Sequence, residues 1–181
     1  MTARLPKLVA FDLDYTLWDL WIDTHVTGPF HRNKNTANEV LDKYNEPIKF
    51  YKDVPQILNR LRGTQGQVKV AACSRTDAPR LARQALGLLL VPPETKDGEL
   101  RPAIDFFDHL EIYPGSKLTH FRKIHEATGI PYSEMLFFDD ETRNREVEAL
   151  GVTFRLVRRG VNDSEFEKGL EAWRKKQLDH Q

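Results

Sequence analysis

Two pairs of aspartates each follow a short apolar run, and this placement makes them candidates for chemistry. Asp12 and Asp14 follow "LVAF", and Asp139 and Asp140 follow "MLFF". Like charges held where water is scarce repel each other and raise one carboxyl pKa unless a cation lies between them. Mg²⁺ prefers oxygen ligands and often bridges a carboxylate to a phosphate. The two pairs therefore predict a magnesium site, provided that the fold brings them together.

A hydroxyl and two cationic side chains complete the candidate site. Ser74 and Arg75 follow the apolar run "VKVAAC", and Lys117 lies in "YPGSK". A phosphate about 4 Å from a carboxylate is repelled by on the order of 4 kcal/mol at intermediate dielectric, and a metal ion with a lysine offsets this repulsion. A hydroxyl and a helix N-terminus can also donate hydrogen bonds to phosphate oxygens.

The spacing of Asp12 and Asp14 suits two complementary roles in phosphoryl transfer. One carboxylate attacks phosphorus and becomes an aspartyl-phosphate. The other protonates the leaving oxygen and later deprotonates the attacking water. These residues therefore predict a Mg²⁺-dependent phosphomonoesterase.

Strands and helices must alternate along the chain to position these groups. We predict strands over 8–11, 68–73, 109–113, 134–140 and 152–157, and helices over 53–63, 77–87, 116–128, 141–150 and 163–176. This alternation predicts an α/β fold, a Rossmann-like parallel sheet sandwiched by helices. Ligands bind such sheets outside the carboxyl ends of the strands, which is where all the candidate residues lie.

The segment between the first strand and the first helix predicts a small flap rather than a large cap domain. Residues 21–30 and 47–51 are rich in β-formers and enclose the polar stretch 31–46, so we expect a β-hairpin flap over about 20–51. A site covered by this flap alone admits bulky substrates. Residues 91–102, with three prolines and a glycine, predict a surface loop.

Composition limits the expected partners. The 181 residues suit one domain over 1–181, and Lys+Arg 27 balances Asp+Glu 27, which favours neither nucleic acid nor an anionic membrane as a partner. No stretch approaches the ~18 apolar residues of a membrane span, and the start "MTARLPK" lacks a secretory segment. The single Cys73 fits a reducing compartment. We expect a monomer in the cytoplasm, or alternatively in the nucleus.

Four motifs in order resemble those of the haloacid dehalogenase superfamily of phosphohydrolases. They are "FDLDYTLW", "SRT", "YPGSK" and "FFDD", and the likeness runs from about residue 4 to residue 160. More narrowly, the chain resembles the small eukaryotic magnesium-dependent phosphatases of that superfamily. The resemblance implies Mg²⁺ as cofactor. It also implies phosphotyrosine in proteins, or sugar phosphates including phosphorylated sugar adducts on protein amines, as substrates, between which the sequence does not choose.

The resemblance also implies a role for each candidate residue. Asp12 would be the nucleophile and a metal ligand, and Asp14 the acid/base, with its backbone carbonyl on the metal. Asp140 would ligate Mg²⁺ directly, and Asp139 would support the site without touching the metal. Ser74 and Lys117 would hold the transferring phosphoryl group, while Arg75 and the Leu13 backbone would contact substrate.

A protein of another class remains open, namely a non-hydrolytic phosphoacceptor or binding module on a similar sheet. Receiver domains of this kind also use acidic residues and a lysine. They lack an acid/base two residues after the acceptor, so Asp14 is the feature that favours an enzyme.

Overall fold

The computed structural model describes residues 4–179 of the chain. Its centre is a five-stranded parallel sheet with packed side chains on both faces, which confirms the predicted Rossmann-like α/β architecture. The first strand shows why its apolar run is continuous. Val9 and Phe11 pack on one face of the sheet, and Leu8 and Ala10 pack on the other. Every residue of the run is therefore buried.

Within residues 4–179, the strands and helices alternate much as predicted. The strands are β1 (Leu8–Phe11), β2 (His31–Arg32), β3 (Val40–Leu41), β4 (Pro47–Ile48), β5 (Lys69–Ser74), β6 (Leu90–Val91), β7 (Arg101–Pro102), β8 (His109–Ile112), β9 (Met135–Asp139) and β10 (Thr153–Leu156). The α-helices are α1 (Val54–Arg62), α2 (Pro79–Leu88), α3 (Lys117–Thr128) and α4 (Asp163–Asp179). 3₁₀ helices cover Ala103–Phe106, Tyr132–Glu134 and Thr142–Leu150, so the helix predicted over 141–150 is of the 3₁₀ type.

The register of the central sheet places the ends of three strands side by side. The strand order is β10-β9-β1-β5-β8, so β1 lies in the middle between β5 and β9. Phe11 is aligned with Ala72 of β5 and with Phe138 of β9. The backbone amide of Asp12 then donates to the Phe138 carbonyl at 2.9 Å. The polar residues that follow these strands therefore emerge together at one edge.

The flap between β1 and α1 is a small antiparallel sheet, as expected, but its strands differ from those predicted. It consists of β2, β3 and β4 in that order, so the stretch 31–46 that was expected to separate the strands supplies two of them. Residues 21–30 contain no strand within the described chain. Their β-forming residues Ile22, Val26 and Phe30 are instead buried anchors in the core.

Two further local predictions need correction. The loop 91–102 begins and ends in a short ladder, because β6 pairs with β7. Aspartate is a common residue at the start of a helix, and the sequence predicts that Asp53 caps α1, but its side chain makes no capping hydrogen bond. The Asp53 carboxylate instead accepts from the Asp163 amide at 3.1 Å, and so it links the starts of α1 and α4.

Among residues 4–179, none of the helices combines the length and the apolar character that crossing a membrane would require.

Candidate active site

The carboxyl edge of the central sheet surrounds a cavity of about 260 Å³. Most of the predicted site residues meet there. Its lining includes Asp12, Asp14, Ser74, Arg75 and Lys117, together with Trp21, Asp23, Thr76, Asp77, Glu141, Arg143 and Asn144. The lining is mostly polar and carries both signs of charge, which suits a small charged group better than an apolar ligand.

Asp12 and Lys117 form a buried ion pair at the base of this cavity. Lys117 Nζ lies 2.8 Å from Asp12 Oδ1 and 3.0 Å from Asp139 Oδ2, and it also donates to the Cys73 carbonyl. Burial alone would lower the pKa of Lys117, but the charges of Asp12 and Asp139 raise it above its usual value. Lys117 therefore remains an ammonium and holds the two carboxylates on either side of it.

Asp12 is nearly inaccessible, which makes its carboxylate dependent on its neighbours. Burial raises its pKa well above the usual value, and the Lys117 ammonium opposes that shift. The Thr16 hydroxyl lies 3.3 Å from Asp12 Oδ2. A second cation beside this carboxylate would keep it ionised, as a nucleophilic carboxylate must be.

Asp139 is fully buried and both of its oxygens are already occupied. Oδ1 accepts from the Glu141 amide at 2.8 Å, and Oδ2 accepts from Asn144 Nδ2 at 2.8 Å in addition to its contact with Lys117. These contacts leave little lone-pair capacity for a metal. The surroundings of Asp139 are therefore those of a supporting residue.

Asp140 has the opposite surroundings. It is partly exposed, and its Oδ1 contacts the Thr16 hydroxyl at 3.3 Å. Burial, and then repulsion by Asp139 and Glu141, raise the pKa of Asp140 to about 6. A carboxylate with a raised pKa and no cationic partner among the residues that shift it is a strong candidate for a metal ligand.

The carboxylates of Asp12, Asp139 and Asp140 place one oxygen each within 4.8 Å of one another. Among the described residues that line the cavity, carboxylates outnumber cationic side chains: Asp12, Asp14, Asp23, Asp77 and Glu141 against Lys117, Arg75 and Arg143. The residual negative charge and the oxygen-only donor set fit a hard divalent cation such as Mg²⁺.

Asp14 also lines the cavity, but its carboxyl group is not one of the three in this cluster. Its Oδ1 accepts from Trp18 Nε1 at 2.7 Å and from the Ile22 amide at 3.2 Å, which fix the carboxyl group. Burial raises the pKa of Asp14 to about 6, although both hydrogen bonds oppose the shift. A carboxyl group with this pKa can give up and regain a proton near neutral pH.

The remaining predicted residues are Ser74, Arg75 and Leu13, and each of them has a different relation to the cavity. Ser74 lines the cavity and its Oγ accepts from the Thr76 amide at 3.3 Å. Arg75 also lines the cavity, but its guanidinium is bonded to Asn144 Oδ1 at 3.1 Å. The Leu13 side chain is fully buried in the core, so a contact with substrate could come only from its backbone, and this contact stays a prediction.

Several residues of the site are not among the predicted site residues, although the sequence does suggest Trp21 for the site entrance. Asn144 is 2% exposed and joins Asp139 to Arg75. Trp21 and Asp23 come from the segment that had been assigned to the flap strand, and Asp23 Oδ2 contacts the Thr76 hydroxyl and the Asp77 amide. The buried position of Asn144, five residues after Asp139, has no signal in a single sequence. A turn rich in aromatic residues beside a DxD motif was the available hint for Trp21.

Comparison with known proteins gives a consistent result. The family described as Acid Phosphatase matches residues 4–176. The chain is 53% identical over 167 residues to a HAD-like hydrolase superfamily protein of Schizosaccharomyces pombe, covering 91% of this chain and 94% of that protein. It is 45% identical over 176 residues to human Magnesium-dependent phosphatase 1, covering 97% and 91% of the two chains.

Solved structures of phosphatases share the fold at low sequence identity. A 3-deoxy-D-manno-octulosonate 8-phosphate phosphatase from Moraxella catarrhalis superposes with a TM-score of 0.52 at 16% identity, covering 97% of this chain and 94% of that one. The phosphatase domain of protein BF1531 from Bacteroides fragilis gives a TM-score of 0.55 at 17% identity, covering 93% and 40%. These likenesses support the architecture of the sheet and its helices.

Proposed function

The chain belongs to the acid phosphatase family of haloacid dehalogenase-type hydrolases, and from this premise we propose that it is a Mg²⁺-dependent phosphomonoesterase acting through an aspartyl-phosphate on Asp12. The observation that carries the proposal is the difference between the surroundings of Asp12 and those of Asp14. Asp12 is buried against Lys117 at 2.8 Å, whereas Asp14 is partly exposed, lines the cavity without a cationic partner at this distance among the described residues, and has a pKa of about 6.

The carboxylate cluster fits Mg²⁺. Asp12 and Asp140 would hold the ion through their carboxylates and Asp14 through its backbone carbonyl, while Asp139 would orient Lys117 instead of binding metal. When bound, the ion supplies positive charge that offsets the repulsion between the carboxylates and a phosphate.

In the first half-reaction, an Asp12 oxygen forms a bond to phosphorus as the bond to the leaving oxygen breaks. Lys117 and Ser74 hold the phosphoryl oxygens, and Arg75 and the Leu13 backbone contact substrate. The Asp14 carboxyl group donates its proton to the leaving oxygen, so that the leaving group departs as a neutral alcohol or phenol.

In the second half-reaction, the Asp14 carboxylate takes a proton from a water molecule. The water oxygen bonds to phosphorus and the bond to Asp12 breaks, which releases inorganic phosphate and regenerates the carboxylate of Asp12. Asp14 is again protonated and ready for the next substrate. A pKa of about 6 for Asp14 supports both directions of proton transfer at near-neutral pH.

The openness of the site supports phosphorylated protein side chains or sugar phosphates as substrates. A flap of three short strands stands where a cap domain would enclose a small metabolite, and Trp21 at the mouth is 48% exposed. A phosphotyrosine ring or a sugar can pack on such an aromatic surface. Side-by-side rates for phosphotyrosyl peptides and sugar phosphates, with Mg²⁺ present, separate the two classes.

The proposal is tested by hydrolysis of p-nitrophenyl phosphate with Mg²⁺ and with EDTA. We expect turnover with Mg²⁺, none with EDTA, and none for Asp12→Asn, which keeps the shape of the side chain but cannot form the acyl phosphate. A folded wild-type protein that binds phosphate without metal-dependent turnover would instead be the non-hydrolytic binding module.

A further inference from the structure

Lys117 is held at its backbone as well as at its ammonium group. Its amide donates to Glu146 Oε1 at 3.0 Å, and the hydroxyl of the preceding Ser116 donates to the same oxygen at 2.8 Å. Glu146 lies in the 3₁₀ segment Thr142–Leu150, outside the residues that line the cavity. Its contact with the site therefore passes through the first residue of α3.

The start of α3 needs such a partner. The first backbone amides of a helix have no acceptor within it, and they form the positive end of the helix dipole. In α3, Ser116 Oγ accepts from the Leu118 amide at 3.1 Å, and the Glu146 carboxylate accepts from the Lys117 amide. An anionic acceptor satisfies both the hydrogen bond and the dipole, so it fixes where α3 begins.

The same segment also holds two other groups of the site. Asn144, two residues before Glu146, donates to Asp139 and accepts from Arg75 at 2.8 and 3.1 Å. The segment Thr142–Leu150 is thus hydrogen-bonded to three parts of the site: Asp139 of β9, Arg75 directly after β5, and Lys117 at the start of α3. Movement at Glu146 would shift Lys117 relative to Asp12 and Asp139.

We propose that Glu146 is a positioning residue for Lys117. By fixing the start of α3, it sets the distance between the Lys117 ammonium, Asp12 and the transferring phosphoryl group, without touching substrate itself. The inference rests on the proposed function, since it assumes that Lys117 binds the phosphoryl group. A displacement of about 1 Å at a catalytic group can cost on the order of 100-fold in rate.

The test compares Glu146→Ala and Glu146→Gln with a matched control, Glu148→Ala. Glu148 lies in the same segment, but its carboxylate faces the surface residues Arg145 and Lys176. For each variant, kcat and KM for p-nitrophenyl phosphate are measured at saturating Mg²⁺, and the Kd of inorganic phosphate is measured by calorimetry in Mg²⁺. Thermal unfolding identifies a temperature at which all variants are folded.

We expect Glu146→Ala to lower kcat/KM roughly 10- to 100-fold and to weaken phosphate binding about 10-fold. The Mg²⁺ half-saturation should stay within about twofold, because Asp140 is not displaced. Glu146→Gln keeps the Oε1 acceptor and should recover most of the activity, and Glu148→Ala should match wild type. Should Glu146→Ala fail to fold, Glu146→Asp, which draws the acceptor back by one methylene, is expected to show the same loss.

The outcomes separate this inference from the proposed function. If wild type turns over and folded Glu146 variants match Glu148→Ala in kcat/KM and phosphate binding, the positioning role is wrong and the phosphatase activity stands. If wild type binds phosphate without turnover and Glu146→Ala weakens that binding, the positioning role stands and the proposed function is wrong. If wild type neither binds phosphate nor turns over, both are wrong.

Discussion

Asp139 and Asp140 are adjacent in the sequence, yet their surroundings give them opposite effects on the stability of the metal-free protein. Asp139 is fully buried and compensates the buried ammonium of Lys117. Burial, and then repulsion by Asp139 and Glu141, raise the pKa of Asp140 to about 6 from an ordinary 3.8. Asp139 therefore stabilises the fold around Lys117. Asp140 lowers the stability of the folded protein, and a bound cation would relieve this loss.

Asparagine substitutions should separate the two residues in stability. We expect Asp139→Asn to lower the free energy of unfolding by about 3 kcal/mol or more, because a buried charge loses one of its partners. Asp140→Asn should raise the stability at pH 8, where the native carboxyl group is ionised, and change it far less at pH 4, where the native group is protonated. Urea unfolding in EDTA at both pH values measures this difference.

The same residues should separate in their effect on the metal. Asp140→Ala should raise the Mg²⁺ concentration needed for half-maximal activity steeply, whereas Asp139→Ala should do so less, at a temperature where both variants are folded. If Asp139→Ala had the larger effect on the Mg²⁺ requirement, the assignment of direct ligand and supporting residue would have to be exchanged.

Asp14 should matter most where the leaving group needs a proton. The leaving group of a sugar phosphate is a strongly basic alkoxide, whereas p-nitrophenolate leaves p-nitrophenyl phosphate without protonation. Asp14→Asn should therefore slow phosphorylation of the enzyme far more with the sugar phosphate. With p-nitrophenyl phosphate, this variant should give a burst followed by slow turnover. Single-turnover kinetics at saturating Mg²⁺ measure both effects. Equal slowing for the two esters, without a burst, would reduce Asp14 to a structural role.

At the scale of elements, the buried strands were predictable because both of their faces are covered. The apolar runs at 8–11 and 134–140 predicted β1 and β9, and parallel pairing then placed Asp12 beside Asp139. The start of α3 was predictable from Ser116, which caps it, and its end from Gly129, which adopts a left-handed conformation with φ 67°. The edge of the sheet and its charged residues follow from these elements.

The flap was predicted less well because its two-residue strands carry little pattern. The segments of the flap are held together by Asp42, a nearly inaccessible carboxylate. It accepts hydrogen bonds from the amides of Thr27, Tyr44 and Glu46 at 2.7–2.9 Å. The contacts of Asn144 and Glu146 were equally unpredictable, since they join residues of separate elements. Such contacts depend on packing, which a local pattern does not encode.

Loss of Asp42 should therefore loosen the flap and leave the central sheet intact. We expect Asp42→Ala to accelerate amide hydrogen exchange over residues 40–48 and at Thr27, since the amides of Thr27, Tyr44 and Glu46 lose their acceptor. Exchange in β1 and β9 should remain at the wild-type rate, and a matched change at the exposed Glu46, Glu46→Ala, should leave both regions unchanged. Uniform acceleration across flap and sheet would show that the flap has no independent stability.

At the scale of the whole molecule, the raised pKa values of Asp14 and Asp140 couple stability to pH and to metal. Each is about 6 in the folded protein against 3.8 ordinarily, so the native state binds more protons than the unfolded state between these values. Stability of the metal-free protein should therefore fall as pH rises through about 4 to 6. Protons compete with Mg²⁺ for Asp140, so stabilisation by Mg²⁺ should increase over the same range.

Thermal unfolding with and without Mg²⁺ measures this coupling. At 100 times its Kd a ligand stabilises by about 2.7 kcal/mol, which for a chain of this size raises Tm by roughly 5–10 °C. We expect a shift of this order at pH 8 and a much smaller one at pH 5. Ca²⁺-free buffer with Na⁺ at matched ionic strength is the control, and a Mg²⁺ shift independent of pH would contradict the carboxylate site.

The covalent intermediate on Asp12 is the central claim, and trapping it is the most direct test. Asp14→Asn is mixed with p-nitrophenyl phosphate and Mg²⁺, quenched in acid within the burst, digested, and analysed by mass spectrometry. We expect one phosphoryl group on the peptide that contains Asp12, and none when Asp12→Asn is added to the same variant. A burst of p-nitrophenolate without phosphorylated protein, or with the phosphoryl group on another residue, would contradict the mechanism.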